Sequence, residues 1–133
     1  MIVVDNSVIV GFVLQGDAYH ADAVACRDRD KEWHAPFLAR TEFRSVAAGY
    51  LRRGEDIEAI IEAGALAVLS VQSHHLTDAE VFAVLQGTRL SAYDSEYVAL
   101  ATRLGCQLVT TDREVLKAYP KLAVRLQDYA SGA

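Results

Sequence analysis

The chain is poor in the residues that staple a fold or span a bilayer. Its 133 residues hold two cysteines, Cys26 and Cys106, too few and too far apart for a disulfide framework or a zinc knuckle. Both read as small residues in or near the core. No stretch approaches the roughly 20 consecutive apolar residues of a membrane-spanning helix; although 52% of the chain is hydrophobic, those positions come in short periodic blocks. The amino end, MIVVD, lacks the basic region and apolar core of a secretory signal, so a cytoplasmic location is expected. No two of the four histidines stand at i, i+4, and the adjacent His74 and His75 cannot share a helix or strand face, which argues against zinc. Positive charge is also short: 13 Lys and Arg stand against 18 Asp and Glu, a net charge of −5. That excludes a generic basic nucleic-acid binder, whose affinity comes from cations on phosphate. Nucleic-acid chemistry survives, because acids gathered to hold a divalent cation lower the formal charge while the bound ion reverses the local sign. Repeats, low-complexity tracts and linkers are missing too, and the length suits one compact domain over 1–133.

What is present alternates between two periodicities. Ile2–Asp5 is an apolar strand-like run ending in a carboxylate, and Asn6-Ser7 opens a helix striped by Val8, Ile9, Phe12 and Val13. Gln15-Gly16-Asp17 breaks it, and a second helix is expected from His20 to about Arg29, with a solvated charged tip. Glu32–Pro36 reads as a strand closed by proline, followed by helices from about Phe37 to Arg53 and over Asp56–Ala63. The pattern predicts a further strand over Ala67–Val71. Thr77 with Glu80 three residues on matches a capping box, for a helix reaching Gln86 or Leu90. Tyr97, Val98, Ala101 and Leu104 then recur at helical spacing behind Asp94, Gly105 is a helix stop, and Cys106–Val109 has strand character. Glu114–Tyr119 gives a short helix stopped by Pro120, Ala123–Leu126 a last strand, and Ser131-Gly-Ala a frayed end. Strands alternating with helices indicate an α/β sandwich, a mainly parallel central sheet covered on both faces.

Four acids stand in unusual places. Asp5 closes the first strand, and Asp112 follows a later strand at the edge where parallel sheets place ligands. Glu42 falls inside the apolar arc of Leu38, Phe43, Val46, Ala47 and Tyr50, whereas Arg40 and Arg44 point the other way, to solvent. Asp94 opens its helix on the face of Val98 and Ala101. A carboxylate on a core-facing stripe is costly unless it is paired, protonated or bound to metal. Four of them gathered within a few Å would repel, and some would take up protons. Mg²⁺ or Mn²⁺ relieves that repulsion, prefers oxygen ligands, keeps several waters, and supports phosphodiester hydrolysis. Each acid also has a purely structural reading: Asp5 bonding loop amides, Asp94 as an N-cap after Tyr93, Asp112 capping the next helix. Glu42 is the hardest to explain that way. Glu96 is expected in solvent near Arg103, and His20 and His34 in loops or at a strand edge; Asp128 has no such context.

The motifs V-V-D-N-S near the start, P-x5-E at Pro36 and Glu42, Y-D-S-E-Y-V-A-L-A at Tyr93–Ala101 and V-T-T-D-R at Val109–Arg113 together resemble the PIN domain. Within it they are similar to the VapC-type ribonuclease toxins of prokaryotic toxin–antitoxin pairs, and the likeness covers nearly the whole chain. It implies a PIN-like three-layer α/β/α sandwich and a Mg²⁺- or Mn²⁺-dependent endoribonuclease. It also implies a homodimer, inhibited by a small cognate antitoxin whose tail covers the acidic pocket. Carried over residue by residue, the catalytic and metal-holding quartet would be Asp5, Glu42, Asp94 and Asp112. Ser7 and Thr110 match the family's hydroxyl positions beside the acids and would orient ligands or metal-bound waters. Some PIN domains have a further acid two residues past the last aspartate; Glu114 stands there, and is equally a first-turn helix acid. A non-catalytic PIN-fold dimer serving as a partner-binding module is the competing class, since fold does not fix function. An aspartyl phosphotransferase ranks last, because Ser7 stands where a D-x-D signature needs its second acid.

Overall fold

The computed structural model describes the backbone of residues 1–133 and the side chains of all but 63 and 65–69. In chain order the elements are β1 (Ile2–Val4), α1 (Asn6–Val13), α2 (His20–Arg29), β2 (Trp33–Pro36), α3 (Ala39–Arg52), α4 (Glu58–Leu69) and β3 (Val71–His74). There follow α5 (Asp78–Gly87), α6 (Ala92–Leu104), β4 (Leu108–Thr110), α7 (Arg113–Ala118), β5 (Ala123–Arg125) and α8 (Leu126–Ser131). The strands form one sheet in the order β3-β2-β1-β4-β5, every pair parallel. Strands buried on both faces read as unbroken apolar runs, and Ile2, Val3, Val4, Leu108 and Val109 are all 3% exposed or less. Helix α6 packs across β1, β2 and β4, while α1 packs against α2, α3 and α4, and α8 against α2, β4 and β5. The result is a PIN-like three-layer α/β/α sandwich. Trp33, Leu100, Leu108 and Leu126 are among its most deeply buried side chains. Cys26 lies in this core, its thiol pushed up to about 12 by burial, and Cys106 is half-buried beside it. No helix of the described residues is long and apolar enough to cross a membrane.

The order of the strands decides where ligands go. From β1 the chain winds one way to β2 and β3 and the other way to β4 and β5, so the switch point lies between β1 and β4. A crevice opens there at the carboxyl ends of the strands.

Several elements depart from expectation, each for a local reason. The strand predicted over Ala67–Val71 is instead Val71–His74, because α4 runs on to Leu69. The alanine- and leucine-rich run favours helix, and a short apolar run alone does not tell strand from helix. The last strand stops at Arg125, and Leu126 opens a helix, α8, that takes in Ser131 from the end expected to fray and is closed by Gly132 in the left-handed region at φ 78°. Helix α6 starts a turn earlier than read: Ser91 is its N-cap and accepts from the Asp94 amide, so Asp94 is a first-turn residue and not the cap. The capping box of Thr77 and Glu80 is present as expected.

Three polar side chains are also placed differently. His34 is 4% exposed, because β3 pairs outside β2 and removes the edge. Its Nδ1 lies 2.8 Å from His74 Nε2, and its Nε2 lies 3.2 Å from a Glu32 oxygen. Arg40 is half-buried, lining a small cavity with Ala35 of β2 and Val71 and Ser73 of β3, its guanidinium 5.3 Å from the Phe37 ring centre, whereas Arg44 is exposed as expected. Glu96 is half-buried and raised by that burial, and Arg103 turns away from it to hold Glu80 with two 2.7 Å contacts.

Candidate active site

Asp5 is the residue after β1, and it serves as N-cap of α1 through its carbonyl, which accepts from Val8 and Ile9. Its side chain makes no cap bond and is left for other work. Thr110, fully buried at the end of β4, donates to Asp5 Oδ2 at 2.7 Å, and Ser7 reaches the same oxygen at 3.4 Å. Thr110 Oγ1 also accepts the Asp112 amide at 3.0 Å. One hydroxyl therefore ties the first acid to the last across the switch point. Asp112 caps α7: its Oδ1 accepts from the Glu114 amide at 2.8 Å and the Val115 amide at 3.2 Å. Glu42, in the first turn of α3, accepts a 2.7 Å hydrogen bond from the Tyr97 hydroxyl on α6.

These elements bring Asp5, Glu42, Asp94 and Asp112 to the wall of one open hollow of about 380 Å³. Ser7 lines it as well, while Thr110 acts from behind Asp5 and Glu114 lies on a neighbouring cleft. The acids sense one another. Burial is the largest influence on three of them and raises the carboxyls of Asp5, Glu42 and Asp94 above the ordinary range. Asp94 and Asp112 raise Asp5 further, Asp5 and Asp94 raise Glu42, and Asp112 raises Asp94. Hydrogen bonds from Thr110 to Asp5 and from Tyr97 to Glu42 pull the other way.

This donor set fits a hard cation held partly through water. Among the described residues no three His, Cys, Asp or Glu side chains converge tightly enough to cage an ion directly. Mg²⁺ is ordinarily held by one or two carboxylates with waters completing its shell, unlike a closed structural zinc site. The side-chain oxygen of Asn6, on the same wall, is buried with no hydrogen-bond partner, an acceptor suited to such a water.

Comparison with protein families matches the PIN domain over residues 2–122. The chain belongs to the PIN domain family. Two solved structures resemble it over most of their length. PAE2754 from Pyrobaculum aerophilum has a TM-score of 0.78 at 22% identity, covering 98% of this chain and 94% of its own. VapC20 from Mycobacterium tuberculosis, a toxin that cleaves the sarcin-ricin loop, has a TM-score of 0.66 at 20% identity, covering 89% of this chain and 95% of its own. No curated protein matches.

Reading the sequence missed three residues on or behind the wall of this PIN site. Tyr97 reads as an ordinary core position, and only its place three residues past Asp94 on one helix face hints that its hydroxyl reaches the acids. Asn6 reads as the polar start of α1. Asp17 sits in a turn, accepts the Tyr19 amide at 2.9 Å, and still faces the hollow.

Proposed function

We propose that this PIN-family chain is a Mg²⁺- or Mn²⁺-dependent endoribonuclease, the toxin of a type II toxin–antitoxin pair. In this reading Asp5, Glu42, Asp94 and Asp112 hold the cation, with Ser7 and Thr110 orienting them. The observation that carries it is the meeting of four carboxylates, from four distant segments, on one hollow at the topological switch point. A bound divalent cation supplies activation of the attacking water and neutralises charge on the phosphodiester. The chain's own contribution is preorganisation: Thr110 fixes Asp5, Tyr97 fixes Glu42, and the amides of α7 fix one oxygen of Asp112. Acids already held in place need little rearrangement when a phosphate arrives. Because burial and neighbouring charge favour the protonated forms of Asp5, Glu42 and Asp94, cation and proton compete, and cleavage should rise with pH through the acid range. A homodimer and a small antitoxin covering the hollow belong to the same reading. The likeness to VapC20, whose target is an RNA loop, supports RNA as the substrate class.

The test is Asp5→Asn and Asp94→Asn, each keeping side-chain size while removing an anionic ligand. Mg²⁺-dependent cleavage of several structured RNAs and growth arrest on expression should both be lost. Wild-type activity in both variants would defeat the proposal. Mn²⁺ binding by calorimetry with no turnover on any RNA would favour the non-catalytic partner module instead.

A further inference from the structure

The hollow does not end at Asp94 and Asp112. A second cleft of about 460 Å³ shares those two residues and runs on, away from Asp5 and Glu42, between the α5–α6 connection and the face of α7 that carries Glu114 and Lys117. Arg89, on the connection, and Lys117 are both exposed along it. Neither takes part in the ion pairs or hydrogen bonds of the described residues, and Glu114 pairs with neither; Arg103, by contrast, is tied to Glu80 and to the His75 carbonyl. Two unpaired cations beside carboxylates that leave them free suit a third body bearing regularly spaced negative charge. In a chain of net charge −5 such local cations decide where a polyanion lies.

We infer that Arg89 and Lys117 form a subsite for the phosphate adjacent to the one presented to the four acids, so that a single RNA strand leaves the hollow along the α5–α6/α7 cleft. This rests on the nuclease reading. A nucleic-acid strand meets both demands at once, since one phosphate faces the cations while its neighbour faces the acids through a divalent ion.

The experiment compares wild type, the Arg89→Ala/Lys117→Ala double variant, Arg89→Lys, and a control double variant, Lys31→Ala/Lys121→Ala. The control residues are exposed and precede β2 and β5, at the opposite edge of the sheet. The probe is a fluorescein-labelled, mixed-sequence single-stranded RNA of about 12 nucleotides, titrated by anisotropy in Ca²⁺ buffer across a range of salt. Circular dichroism melts check that all variants fold. The double variant should bind about tenfold more weakly, and its slope of log K against log salt should be shallower by about 0.7, for the one phosphate the two cations hold. Arg89→Lys and the control should stay close to wild type. Wild-type affinity and slope in the double variant, while the wild-type protein cuts RNA, would overturn the subsite and leave the nuclease reading standing. A wild-type protein that neither binds this RNA nor cuts any would overturn both. Displacement of the RNA by an oligoglutamate peptide that itself needs Arg89 and Lys117 would overturn it in favour of a protein-docking surface.

Discussion

Tyr97→Phe removes one oxygen from a ring that is 2% exposed, so it probes the acids without opening the core. The hydroxyl donates to Glu42 Oε1 at 2.7 Å and, after burial, is the strongest influence on that carboxyl, pulling it down. A hydrogen bond to a charged group contributes about 1.5–3 kcal/mol, and Glu42 is only half-buried, so screening favours the lower end, about 1.5 kcal/mol. At about 1.4 kcal/mol per tenfold change, the acid limb of the cleavage profile should move up by about one pH unit. Stability follows the same linkage. A carboxyl raised in the folded state stabilises it fully only below the unfolded value, about 4.3 for glutamate, and loses that contribution as pH rises through the folded value. Removing the hydroxyl raises Glu42 further. The variant's deficit should therefore be larger near neutral pH, where it loses a bond to an anion, than at about pH 4, where it loses a bond to a neutral acid. Near neutrality the melting point should fall by about 5 °C for a chain of this size. Cleavage rates across pH at fixed cation, with melts at both pH values, give the answer. An unmoved acid limb with equal deficits at both would show that the hydroxyl only fills space.

Asp94→Asn should melt higher than wild type near neutral pH without added cation, by about 0.5–2 kcal/mol. The wild-type carboxyl, raised by burial and by Asp112, loses its stabilising contribution as pH rises; the advantage should close below about pH 3.9, and Mg²⁺ should lift the wild type alone. Identical melts with and without Mg²⁺ would contradict this. Thr110→Val keeps the shape but deprives Asp5 Oδ2 of its 2.7 Å donor and the Asp112 amide of its acceptor; Mn²⁺ affinity by calorimetry should drop about 10–100-fold. Gly105→Ala should cost about 1–2 kcal/mol in denaturant unfolding at unchanged cleavage, because φ is 64° and the added methyl meets no atom within 4 Å.

Local rules account for what was legible. The sheet's central strands show as apolar runs because both of their faces are covered, and the Thr77 capping box shows because its chemistry is complete within four residues. Asp5, Glu42, Asp94 and Asp112 show as acids in awkward places, and the coordinates do line them up on one hollow. What stayed hidden depends on partners far away in sequence. His34 reads as an edge residue until β3 is known to lie outside it, and Arg103 falls to Glu80, 23 residues away, only once α5 is packed on α6. Tyr97 and Glu42 are 55 positions apart, and no periodicity in either helix announces that they touch.

The structural reading of the four acids is compatible with the role proposed for them. Asp5 is the N-cap of α1, Glu42 and Asp94 lie in the first turns of α3 and α6, and Asp112 caps α7. In a parallel sheet with antiparallel helices, the carboxyl edge of the strands is also where helix amino ends gather. Each such end favours an anion by about 0.3–1 kcal/mol. Four of them offset part of the burial and mutual repulsion that raise Asp5, Glu42 and Asp94, which lets the chain assemble its acids without a cation. The offset is partial, so Asp5, Glu42 and Asp94 stay above their ordinary range, which in the proposed reading is the hollow's demand for positive charge. Replacing Asp112 by asparagine separates the two roles: the amide oxygen can still cap α7, so the fold should survive while the cation demand falls.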